Sequence, residues 1–264
     1  MCSTCGCDQP DGVTITKVGE SKLSFRPVEE NHLVKPGHHH THDSGKKIIE
    51  VEQDILAKNN KSAQHNRFHF KEDNIVAINL VSSPGSGKTS LLEKTLKNAE
   101  GLNCYVIEGD QQTMNDANRI AKTGVPVVQI NTGKGCHLDA DMIHHALHQL
   151  NPAPDSFVFI ENVGNLVCPA LFDLGEDFRV AIISVTEGDD KPLKYPDMFE
   201  GSDLCIINKM DLLPYVDFDI IRCKEYARRA NPNIEFLEAS ATRGEGIAEW
   251  VEWLREKSKE RVSV

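Results

Sequence analysis

The segment SSPGSGKTS (82–90) places a lysine and a hydroxyl residue directly behind two glycines. It follows an apolar run and opens a helical one, where backbone amides and a helix N-terminus can cradle phosphates. Gly85, Ser86 and Gly87 form the loop, and Ser90 continues it into the helix. Lys88 is suited to the β- and γ-phosphates of a nucleotide and the Thr89 hydroxyl to Mg2+. The pattern G-x-x-x-x-G-K-S/T is met except at its first glycine, where Ser82 stands. A purely structural glycine turn would not require the Lys-Thr pair.

A second constellation selects the base. NKMD (208–211) closes the apolar run DLCIIN. Asp211 can accept from N1 and the 2-amino group of guanine, which adenine does not offer. Asn208 would address the base edge, and the stem of Lys209 would pack over the ring. SAT (240–242), after the next apolar run, reads in two ways. Ser240 and Ala241 form a second base-contacting loop with the Ala241 amide on guanine O6, or an ordinary turn leading into a helix. Carboxylates at the ends of intervening strands are candidates for Mg2+ and water control: Asp110, Asp116 and Glu161. Glu161 opens ENVGN (161–165), which parallels the D-x-x-G segment of G proteins and sets Gly164 to sense the γ-phosphate. One of these carboxylates can instead be a helix cap, with Asp116 the first candidate for that role.

Soft metal ligands occur in two places. MCSTCGC brings Cys2, Cys5 and Cys7 within one short stretch, with no apolar neighbours to bury them. Three thiolates and a terminal amine exposed by loss of Met1 suit planar Ni2+, with Zn2+ the rival occupant. GKGCHLDA (133–140) and VCPA (167–170) supply Cys136, His137 and Cys168. Taken alone, His137 is as well explained as a cap or surface residue, and Cys168 as a buried thiol. HHHTH (38–42) is at most an auxiliary metal binder.

These groups need a scaffold, and the rest of the 264 residues describes one. Apolar runs suited to buried strands cover 74–81, 104–109, 125–130, 156–161, 179–185, 203–208 and 234–239, with helical segments between most of them. Such alternation predicts an α/β protein with a mostly parallel sheet of about seven strands and helices on both faces. A helix is expected from Gly45 to about Asp73, with Ile48, Val51, Ile55 and Leu56 at helical spacing. Residues 1–45 are polar and poor in aliphatics, so composition assigns them to a flexible metal-binding tail ahead of a nucleotide-binding domain at 46–264.

The balance of 29 basic against 40 acidic residues, net charge -11, argues against nucleic acid or an anionic membrane as partner. No apolar run is long enough to span a bilayer, and the start lacks the apolar core of a secretory signal, so a cytoplasmic chain is expected. Its eight cysteines are then metal or redox candidates before disulfides.

With these residues assembled, the chain resembles the HypB family, the nickel-inserting GTPases of nickel–iron hydrogenase maturation, within the SIMIBI group of P-loop GTPases. The resemblance spans the chain and rests on MCSTCGC, VSSPGSGKTS, EGDQQTMNDA, NTGKGCHLDA, ENVGNLVCPA, SVTEGDDKPLKYP and NKMDLLP. It implies slow hydrolysis of GTP to GDP, GTP-dependent homodimers, and binding of Ni2+ and Zn2+, with Cys136, His137 and Cys168 as the second metal site. It also implies work beside a small zinc-containing partner (HypA) on the hydrogenase large-subunit precursor. Alternatives are a nickel GTPase serving urease, whose motif is Cys-Pro-His, a small-molecule kinase, and a metal buffer with a structural nucleotide site.

Overall fold

Strands and helices alternate along the chain, and the computed structural model describes residues 13–18 and 44–262. In order these are β1 (Thr14–Lys17), α1 (Ser44–Glu72), β2 (Val76–Ser82), α2 (Lys88–Asn98), β3 (Cys104–Asp110), α3 (Asn115–Ala121), β4 (Val127–Asn131) and α4 (Ala140–Leu150). There follow β5 (Phe157–Glu161), α5 (Cys168–Leu171), β6 (Phe178–Ser184), α6 (Lys191–Lys194), α7 (Pro196–Glu200) and β7 (Leu204–Asn208). A 3-10 turn (Met210–Tyr215), α8 (Ile220–Ala230), β8 (Glu235–Glu238) and α9 (Ile247–Val262) complete the order.

One sheet runs β1-β4-β3-β5-β2-β6-β7-β8. The seven strands from β2 to β8 are parallel, as the continuous apolar runs predict. The strand count differs from expectation: an eighth, β1, pairs antiparallel with β4 from Thr14↔Asn131 to Lys17↔Val128. It lies inside the segment that composition assigned to the tail. The short β-branched run VTITKV was masked by its polar surroundings, and Val13, Ile15 and Val18 pack against the two core layers at this edge.

Alternation along each strand divides the core. One layer joins Ile78, Leu80, Phe159 and Ile182 to Leu91 and Leu92 of α2 and to Trp250, Val251 and Leu254 of α9. Trp250 is fully buried, and its indole N–H donates to Thr95 Oγ1 at 2.9 Å, satisfying a polar atom inside the layer. The opposite face is covered over one half by α1 and α4, around Phe70, Ile143 and Leu147, and over the other by α7 and α8, around Phe199 and Cys223.

The expected leading helix is α1. Its contact with α4 is fixed by buried amides, since Asn66 donates to the Ala140 carbonyl at 2.8 Å while Asn59 Oδ1 accepts from the Ala140 amide at 2.9 Å. All parallel strands end at the same edge of the sheet, which gathers the loops after β2, β3, β5 and β7 into one crevice.

Candidate functional site

That crevice is a cleft of about 570 Å³, within the size range of small-molecule sites. Its floor is the turn from β2 into α2. Gly85 and Gly87 both have positive φ, +77° and +94°, which L side chains rarely adopt. At Gly87 a Cβ would come within 2.5 Å of Asn208 Nδ2, so the loop also needs glycine for space.

The NKMD segment is joined to this loop. Asn208 donates to the Ser86 carbonyl at 2.9 Å and its Oδ1 accepts from the Ala241 amide at 3.2 Å. Lys209 Nζ donates to the Gly85 carbonyl at 2.6 Å, from a residue itself held at φ +61°. The Ser240 hydroxyl donates to Asp211 Oδ1 at 2.6 Å. NKMD, SAT and the glycine loop therefore form one bonded unit, although more than a hundred residues separate the loop from the other two.

The carboxylates divide by environment. Glu161 is buried, and one of its oxygens accepts from the Thr89 hydroxyl at 2.6 Å with Lys88 Nζ at 3.7 Å. Burial raises its pKa, opposed by the Lys88 charge and the Thr89 hydrogen bond. Its other oxygen is buried without a hydrogen-bond partner. Asp110 instead serves its own turn: it accepts from the Gln111 amide at 2.6 Å and from the Thr113 amide and hydroxyl at 3.0 and 2.7 Å. Asp116 lines the cleft in the first turn of α3, 3.4 Å from Arg119, and caps nothing. The helix cap for which Asp116 was the first candidate is not made: the N-cap position of α3 is Met114, with no side-chain cap bond.

Two participants were not singled out in the sequence. Glu108 sits beside Glu161 in the β3–β5 register, 2 % exposed. Burial first, then the charge of Glu161, lifts its carboxyl to about 9. One Glu108 oxygen also has no partner. Its signal was an acid inside the otherwise apolar strand CYVIEG. Two buried, unpartnered carboxylate oxygens beside a threonine hydroxyl and a phosphate-type loop fit a hydrated divalent cation. Arg119 is the second: it links Ser90, at 3.1 Å, to Glu93, at 2.9 Å, on the wall of the cleft.

Beside the cleft, the loop after β4 and the start of α5 bring Cys136, His137 and Cys168 together, one ligand atom from each within 4.8 Å of the others. The Cys136 and Cys168 sulfurs are 2.8 Å apart, beyond the ~2.05 Å of a disulfide. His137 Nδ1 lies 3.7 Å from Cys136 Sγ, and its ring stacks on Phe172 at 3.9 Å. Burial lowers the His137 pKa, which keeps the imidazole neutral and able to ligate. Two thiols and one imidazole are a donor set for Zn2+ or Ni2+, not for Mg2+.

The two sites share the segment after β5. Gly164 packs on Pro84 of the glycine loop, where a Cβ would meet Pro84 Cα at 3.2 Å. Asn165 donates to the Cys136 carbonyl at 3.3 Å, and Asn162 Oδ1 accepts from the Leu138 amide at 3.3 Å. Cys2, Cys5, Cys7 and the tract 38–42 lie outside the described residues.

A parallel sheet with a glycine-lysine-threonine loop at its first core strand, bonded to an N-K-x-D segment, defines a P-loop nucleotide-binding protein of the GTPase class. Residues 76–238 match the family model described as CobW/HypB/UreG, nucleotide-binding domain. The hydrogenase maturation factor HypB of Azotobacter vinelandii is 57 % identical, over 83 % of this chain and 73 % of that protein. That of Escherichia coli K12 is 46 % identical, over 96 % of this chain and 98 % of that protein. The crystal structure of HypB from Helicobacter pylori in complex with nickel is similar with a TM-score of 0.73 and 39 % identity, covering 77 % of this chain and 96 % of that one. The chain belongs to the HypB family of hydrogenase maturation factors, P-loop GTPases of the SIMIBI class.

Proposed function

We propose that this protein hydrolyses GTP to GDP and phosphate and uses the nucleotide state to control a bound nickel ion destined for a hydrogenase large-subunit precursor. The observation that carries the reading is the shared segment after β5. Glu161 at its start contacts the phosphate-binding elements, and Asn165 and Cys168 further along contact or contribute to the thiol–imidazole cluster.

In this reading Gly85, Ser86, Gly87 and Ser90 cradle the phosphates, and Lys88 offsets charge that develops on them. Thr89 and Glu161 would hold Mg2+, which would supply electrostatic stabilisation of the phosphate oxygens. Asp110 and Asp116 orient water at the open side of the cleft, and Asn208, Lys209, Asp211, Ser240 and Ala241 select guanine. Cys136, His137 and Cys168 hold nickel or zinc as cargo, and three ligands leave room for a group from a second copy to complete the shell. Cys2, Cys5 and Cys7 form the tighter nickel site. The protein works in the cytoplasm as a GTP-dependent homodimer, beside a small zinc-containing maturation partner.

The test is nickel affinity measured with GDP and with a nonhydrolysable GTP analogue, for the wild type, Cys136→Ala, Cys168→Ala and a variant lacking residues 1–7. The expected result is a nucleotide-dependent affinity abolished by either cysteine substitution, with a separate nickel–thiolate absorption lost on removal of 1–7. Equal affinities in both nucleotide states would leave a GTPase and a metal site without a switch.

A further inference from the structure

Outside these sites, α1 and α4 gather four histidines on the outer face of the domain. His144 and His148 lie one turn apart on α4, the spacing that stacks side chains on one helix face. Their Nε2 atoms are 3.2 Å apart. His65, from α1, packs edge-on with the His144 ring at a centroid distance of 4.8 Å, and His148 does so at 4.5 Å. His65 and His148 are exposed and His144 is half-buried.

We propose that His144 and His148 form an additional two-imidazole site for a divalent first-row ion of borderline softness such as Ni2+. Two nitrogens each about 2.0–2.1 Å from one ion stand roughly 2.9–3.4 Å apart, for cis-planar to tetrahedral angles. The observed Nε2 separation falls inside that span. An all-imidazole donor set suits nickel, copper and zinc and disfavours Mg2+ and Ca2+, which take oxygen. The framework is already built, because Asn59 and Asn66 of α1 clamp both backbone groups of Ala140, at the first turn of α4. Ordering the chelate therefore costs only side-chain rotations.

His145 is the internal contrast. It neighbours His144 in sequence, but its ring is 5.7 Å away and its Nε2 lies 3.6 Å from Asp141. It points to a carboxylate partner and is no ligand of this site. The nitrogen-only site differs from the thiolate sites in kind: it gives no sulfur-to-nickel charge transfer, and neutral ligands hold the ion exchangeably at the surface. It stands without the GTPase reading.

The experiment is equilibrium dialysis of the full chain against Ni2+, with thiolate–nickel absorption and GDP affinity followed in parallel. His144→Gln/His148→Gln should bind one nickel fewer per chain than the wild type, with absorption and GDP affinity unchanged. His145→Gln should leave the same class of bound nickel intact. Wild-type stoichiometry in the double variant overturns the site. A loss in His145→Gln equal to that of the double variant overturns the assignment.

Discussion

The side-chain amide of Asn165 donates to the backbone carbonyl of Cys136 at 3.3 Å, joining the segment after β5 to the loop after β4. Asn165 follows Gly164, which packs against Pro84 of the phosphate loop. A shift of Gly164 on nucleotide exchange would thus reach a metal ligand through one hydrogen bond. Asn165→Ala should reduce the GTP/GDP difference in nickel affinity while leaving nucleotide affinity near wild type. Linkage between such sites is usually about 1–3 kcal/mol, so a loss of half or more is resolvable by titration. An undiminished difference would route the coupling through Asn162 or Cys168 instead.

Lys88→Ala removes the cation 3.7 Å from Glu161. Turnover should fall by about 10²–10³, the range for losing one preorganised electrostatic group. Single-turnover phosphate release is the measurement, and wild-type kinetics would displace Lys88 from the reaction.

Asp211→Asn reverses donor and acceptor at the atom proposed to face guanine while keeping the side chain's size and its Ser240 neighbour. GTP affinity should drop by about 1.5–3 kcal/mol, the usual value of a hydrogen bond to a charged group, and xanthosine triphosphate should gain. Asp203, whose carboxylate accepts from the Arg179 amide at 2.8 Å, is the control and should leave base preference alone. A direct titration with both nucleotides decides it.

Glu108 provides a pH test. Its carboxyl is raised to about 9 in the fold, chiefly by burial, against an ordinary value of 4.5. Between those values the unfolded chain has lost the proton and the folded one keeps it, so this group makes stability fall as pH rises. Glu108→Gln should flatten that decline in nucleotide- and metal-free protein and raise Tm at pH 8, by about 2–4 °C per kcal/mol recovered. Parallel Tm-against-pH curves for the two proteins would exclude a neutral Glu108.

Sequence alone determined much of this protein because its chemistry is written in contiguous stretches. The glycine loop, N-K-x-D and the alternation of apolar runs are local patterns, and each strand from β2 to β8 was legible from its own composition. VTITKV was not. A short edge strand in polar surroundings is recognisable only once β4 is there to pair with it. The tertiary structure alone decided other relationships among distant residues: Asn208 on Ser86, Asn165 on Cys136, His65 against His144. It also decided which carboxylates are desolvated. Glu108 and Glu161 adjoin through strand register in the sheet interior, whereas Asp110, at the cleft, bonds to its own loop. Register and burial are properties of the assembled sheet, and a linear pattern of residue types does not carry them.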